Sequence, residues 1–69
     1  MEQRGYQVTG MTCAHCEMSV REEIEQIAGV EQIEVSAETG QLVVNTMPSV
    51  EDAAVVAAVQ EAGYQAERV

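Results

Sequence analysis

The sequence predicts an α+β fold: one four-stranded antiparallel sheet with two helices on one of its faces. Three observations lead there. Apolar residues alternate at period two in the first and middle segments, and fall at helical spacing in two others. The segments follow in the order strand, helix, strand, strand, helix, strand. The two central strands are joined by a few residues that include a glycine, which is how a hairpin is closed.

Residues 5–9 carry Tyr6 and Val8 at period two and form the first strand, and residues 10–12 turn the chain. From 13 to 28, Cys16, Val20, Ile24 and Ile27 fall on one stripe of a helix, with Glu17, Arg21, Glu22 and Glu25 off it. Glu17 and Arg21 stand four apart in the order that favours an ion pair. Gly29 stops this helix. Ile33 and Val35 then share one face of the second strand, and the turn at 38–40 leads to a third, where Leu42 and Val44 match them. Pro48 and Ser49 introduce the second helix, with Ser49 as its cap and Asp52 three residues on. Val55, Val59 and Ala62 are its buried stripe, Gly63 ends it, and residues 64–69 form the last strand.

This βαββαβ order, two crossover units around a hairpin, is the ferredoxin-like arrangement. Right-handed crossovers put both helices on one face. The first strand then lies beside the fourth and runs against it. That brings residues 10–12 level with Tyr64, although the two are far apart in sequence. Residues 1–69 are expected to form a single domain.

Composition narrows the function. A chain of 69 residues buries about 60% of the surface its unfolded form exposes, so its margin of stability is thin. With no Trp or Phe, the core rests on Val, Ile, Leu, Ala and Met together with Tyr6 and Tyr64. The net charge is −9, with twelve acids against three arginines and no lysine. Nucleic-acid binding is excluded, because phosphate neutralisation needs a basic face. Attraction to anionic lipid is disfavoured for the same reason. The acids read as a solvated surface that keeps the apo protein monomeric, ahead of steering toward a basic partner face. No apolar run approaches the ~20 residues that insertion into a membrane requires, and the N-terminus has no signal-peptide stretch. A soluble, cytoplasmic protein is expected. Two close cysteines do not make a secreted disulfide scaffold, and in a reducing compartment they stay thiols.

The chemistry is concentrated in residues 10–18, GMTCAHCEM. This stretch holds both cysteines, the only histidine and two of the four methionines. Cys13 lies in the loop and Cys16 in the first turn of the helix. Unpaired N–H groups and the positive end of the helix dipole there favour thiolate over thiol. The two-residue gap lets both sulfurs reach one ion. Zinc fits poorly, because a structural zinc site takes four ligands and only Cys13, His15 and Cys16 are strong candidates. His15 lies between the cysteines, with its side chain directed away from where the sulfurs converge. Two thiolates suit a soft ion of low coordination, which in a cell is Cu(I); Hg(II) and Ag(I) would bind as well. Thr12 precedes Cys13 where an acid would add a hard oxygen ligand, and this also favours a soft monovalent ion. A rival reading is a thiol–disulfide oxidoreductase, since CxxC at a helix start also builds a thioredoxin-like site. The chain is short for that fold, has no Trp beside the motif, and its one proline, Pro48, precedes a helix.

The motif GMTCAHC, the helix after it, the hairpin with ETG at 38–40 and the late EAGY at 61–64 resemble the heavy-metal-associated (HMA) domain. That domain occurs as free copper chaperones and as N-terminal modules of copper-exporting P-type ATPases. The resemblance covers essentially the whole chain. It implies a soluble Cu(I) chaperone, not an enzyme, that binds one ion through Cys13 and Cys16. The ion would pass by ligand exchange to a copper-transporting P-type ATPase, with a copper-responsive regulator as a second partner. Mercury- or zinc-carrying relatives are the alternative within the family. A chain that begins at Met1 with almost nothing beyond the domain suits a stand-alone chaperone, although an excised ATPase module would read the same.

The neighbours of the thiols carry their own expectations. Met11 should face the core and anchor the loop, as the family's methionine does, rather than ligate. Met18 should be exposed. Tyr64 matches a tyrosine that bacterial chaperones of the family carry after the second helix. Its ring would pack over the metal loop, and its hydroxyl would approach a sulfur. His15 replaces the small residue common in the family. It is a solvated imidazole with no contact to the metal, a proton-sensitive tuner of the nearby thiolates, or a third ligand in a Cu(I)-bridged dimer, with tuning favoured over ligation in the monomer.

Overall fold

A computed structural model describes residues 2–12 and 14–69. Among these, the chain forms β1 (Glu2–Thr9), α1 (Ala14–Glu25), β2 (Val30–Ser36), β3 (Gln41–Thr46), α2 (Asp52–Glu61) and β4 (Gln65–Arg68). The sheet order is β2-β3-β1-β4, and every pairing is antiparallel. The two helices pack on each other, α1 over β2 and α2 over β4. This is the ferredoxin-like fold expected from the pattern.

The expected hairpin forms, and its register sets Ile33 opposite Val44 and Val35 opposite Leu42. A bulge between Val30 and Gln32 bends the outer strand. Inward positions of the two central strands supply Tyr6, Val8, Leu42 and Val44. They meet Val20 and Ile24 of α1 and Val55 and Val59 of α2, all buried. Burying each such aliphatic side chain stabilises the fold by about 1.5–3 kcal/mol. Gly40 closes the hairpin against β1. Its φ is +75°, and a Cβ there would lie 2.7 Å from the Val8 carbonyl oxygen, so only glycine fits.

Four local expectations need correction. First, β1 begins at Glu2 rather than residue 5, and pairs with β3 as far as Thr46. Its polar start conceals a strand because the inward residue is Arg4, only 6% exposed. A charge buried this far must be paired. The Arg4 guanidinium lies 3.3 Å from Glu2 and 3.4 Å from Asp52. Second, α1 ends at Glu25, and Ile27 packs half-buried against the core from the turn beyond. Third, Ser49 does not cap α2. The N-cap is Glu51, which makes no side-chain capping bond. Val50 explains the shift: it buries itself and donates its N–H to the Met47 carbonyl at 3.0 Å, which delays the helix. Asp52 thus opens α2 and turns to Tyr6 and Arg68 instead. Fourth, Glu17 and Arg21 do not pair. The Glu17 carboxylate accepts the Ala37 N–H at 2.6 Å and ties α1 to the end of β2.

Candidate metal centre

The first turn of α1 and the loop before it lie at the end of β1, at the pole opposite the Arg4–Asp52 contacts. Gly10 starts the loop with φ +98°, and a Cβ there would come within 3.2 Å of Tyr64 Cδ1. The Tyr64 ring therefore packs against this turn, as the strand order requires once β4 pairs with β1. Tyr64 is half-buried, and its N–H is held by the Val59 carbonyl at 3.1 Å, so the end of α2 positions the ring. Met11 is 8% exposed and belongs to the core, which places it as an anchor for the loop.

Cys16 is the third residue of α1 and is buried on the same stripe as Val20 and Ile24. The backbone N–H groups of a helix's first turn have no partner within the helix, and they stabilise negative charge on a sulfur held there. The Thr12 hydroxyl lies 3.9 Å from the Cys16 sulfur, a weak contact in which either atom can donate. Thr12, Ala14 and His15 are exposed, and so is Met18. Cys13, the other expected ligand, lies outside the described residues. Among the described residues, no three His, Cys, Asp or Glu side chains converge as a metal cage would need.

Sequence reasoning missed Glu17 as a support of this site. It follows Cys16 directly, and its grip on the Ala37 amide holds the first turn of α1 against the sheet edge. The available signal was an acid in the first helical turn, which the sequence offered equally to Arg21.

A sulfur presented at the start of a helix, beside an exposed loop on a ferredoxin-like frame, defines a small metal-handling domain. The sequence matches the model of the heavy-metal-associated domain over residues 6–65, and the chain belongs to that family of metal-binding domains. It is 34% identical over 67 residues to the copper chaperone CopZ of Bacillus subtilis (strain 168), a match covering 93% of this chain and 94% of CopZ. It is 42% identical over 59 residues to a zinc/cadmium/lead-transporting P-type ATPase of Shigella sonnei (strain Ss046). That match covers 86% of this chain but only 8% of the transporter's length. In structure it is similar to a copper binding domain from HMA7, a P-type ATPase. The TM-score is 0.95 at 30% identity, over 100% of this chain and 95% of that one. Among the described residues, no helix is long and apolar enough to cross a membrane.

Proposed function

We propose that residues 1–69 act as one metal-carrying unit, a cytoplasmic Cu(I) chaperone that holds its cargo between Cys13 and Cys16. The observation that carries this reading is the placement of Cys16: third in α1, anchored on the core stripe, next to an exposed loop. A sulfur fixed in the core gives the ion one firm ligand. Cys13 supplies the second thiolate from the loop. Two-coordinate sulfur suits Cu(I), and low coordination permits transfer. An incoming thiolate makes a three-coordinate intermediate, and one original sulfur then leaves. The receiver is the metal-binding domain of a copper-transporting P-type ATPase, and no substrate bond is made or broken.

Zinc, cadmium or lead as cargo is a second reading, favoured by the 42% identity to a transporter of those ions. Residue 12 argues against it. Divalent ions gain from an oxygen ligand beside the thiolates, and Thr12 offers only a neutral hydroxyl, already 3.9 Å from the Cys16 sulfur.

Reduced protein titrated with Cu(I), Zn(II) or Hg(II) against a chelator of moderate strength tests the choice, read by thiolate-to-metal ultraviolet absorption. The expected order places Cu(I) capture far above Zn(II). Loss of both cysteines abolishes capture, and Thr12→Asp raises Zn(II) affinity. Zn(II) retention equal to Cu(I) retention would overturn the copper reading. Sedimentation of apo and loaded protein reports whether the ion bridges two copies.

A further inference from the structure

The first two turns of α1 carry two donor side chains that the core does not use. His15, the only histidine of the chain, is the helix's second residue and is exposed. Met18 follows three residues later and is 56% exposed, off the stripe formed by Cys16, Val20 and Ile24. Residues three apart on a helix are neighbours on its surface, with Cβ atoms about 5–6 Å apart. Helical side chains also lean toward the N-terminus, a direction that brings a thioether at residue 18 toward the turn that carries residue 15. A thioether is a soft ligand that selects Cu(I) and its analogue Ag(I), and imidazole accepts the same ions. Two neutral donors at this spacing suit a monovalent ion of low coordination. Met47 provides the contrast. It is 50% exposed, with the same thioether, but sits beside Gly29 and far along the chain from the imidazole.

We propose that His15 and Met18 form a second, weaker site for a soft monovalent cation on the solvent side of α1, separate from the thiol pair. The chain then holds a second soft ion next to its main cargo, where an arriving ion can pause before the thiolates take it. The site needs neither cysteine, so it stands or falls apart from the thiol reading.

The test uses Ag(I) as the probe, on protein carrying ¹³C-methyl methionine, at mildly alkaline pH. In Cys13→Ala/Cys16→Ala protein, the Met18 methyl and His15 ring resonances are expected to shift together and to saturate. The Met47 methyl, in the same tube, should need about tenfold more Ag(I), because a lone donor lacks a tethered second ligand. His15→Ala should weaken the Met18 response by a similar factor. If the double variant does not fold, wild-type protein already holding one equivalent of Ag(I) is read as a second is added, with the same expectations. Equal responses from Met18 and Met47, or a Met18 response untouched by His15→Ala, would overturn the proposal. Cu(I) capture by the wild-type thiols is measured separately, and its failure would count against the chaperone reading alone.

Discussion

The hydroxyl of Tyr6 donates to Asp52 Oδ1 at 2.7 Å and so joins the middle of β1 to the first residue of α2. Arg68 of β4 donates to the same carboxylate at 2.7 and 2.9 Å, and its guanidinium lies 5.7 Å from the Tyr6 ring centroid. Arg4 adds a longer contact at 3.4 Å. Two of the three arginine and lysine cations in this acidic chain are thus spent on one carboxylate, at the pole away from the Gly10–Thr12 turn. Their role is to hold α2 to the two strands that flank it.

This cluster makes stability depend on pH at both extremes. Asp52 is held below the usual carboxylate range, first by the Tyr6 hydrogen bond, against an opposing effect of burial, with Arg68 and Arg4 adding to the fall. Its contribution is complete above the unfolded carboxyl value, about 4, and is lost as pH falls through the lower folded value. Tyr6 is shifted upward, by burial first and then by its bond to Asp52, with Arg4 opposing. Its contribution is complete below about 10 and is lost as pH rises through the folded value. Urea midpoints across the pH range should show a plateau with an acid limb that Asp52→Asn flattens. Tyr6→Phe should flatten the alkaline limb. Limbs of unchanged slope in these variants would show that the cluster does not carry the dependence.

Thr46 offers a stabilising substitution. It is fully buried at the end of β3, and its hydroxyl finds no hydrogen-bond partner among the described residues. A buried, unsatisfied hydroxyl costs free energy that a methyl group of the same shape does not. Thr46→Val should raise unfolding stability by about 1 kcal/mol, measured as a higher urea midpoint at constant slope. A lower midpoint would mean that the hydroxyl is satisfied in solution.

What the sequence made legible was whatever depends on period and on strand order. Alternation alone puts Ile33, Val35, Leu42 and Val44 on one face of a hairpin, and the structure adds the register that pairs Ile33 with Val44 and Val35 with Leu42. The meeting of Gly10 with Tyr64 followed from placing β4 beside β1. Exposure of Met18 follows from its place off the helical stripe, whereas burial of Met11 follows from its place two residues before Cys13 and from the family resemblance. What stayed hidden depended on partners distant in sequence. Glu2 to Arg4 look like a polar tail until Asp52 and backbone pairing with β3 are supplied. Ser49 looks like a cap until the burial of Val50 moves the helix start.

The loop beside Cys16 is sensitive to any side chain at residue 10. Gly10→Ala combines a φ of +98°, which L-residues avoid, with a Cβ 3.2 Å from Tyr64 Cδ1. The backbone alone should cost about 1–2 kcal/mol, and the ring must shift to admit the methyl group. Thermal unfolding of the apo protein should show the loss, and the Tyr64 ring resonances should move more than those of Tyr6. A substitution that leaves both unchanged would mean that the ring does not rest on this turn.

Glu17 is the remaining control on the sulfur's position. Its carboxylate takes the Ala37 N–H at 2.6 Å, so the residue after Cys16 is pinned to the end of β2. Glu17→Gln keeps an acceptor oxygen and should preserve the tie, although without the charge that strengthens it. Glu17→Ala leaves the half-buried amide of Ala37 without that partner and should cost about 1–2 kcal/mol. Amide exchange separates a local tie from a general loss of stability. In Glu17→Ala, protection at Ala37 and in the first turn of α1 should fall more than at Val44 and Leu42, which sit in the centre of the sheet. Because that turn carries Cys16, the proposed copper site predicts that the same variant releases Cu(I) to a competing chelator faster than wild type, with Glu17→Gln between the two. Uniform loss of protection across the sheet would assign Glu17 to global stability and remove it from the support of the metal centre.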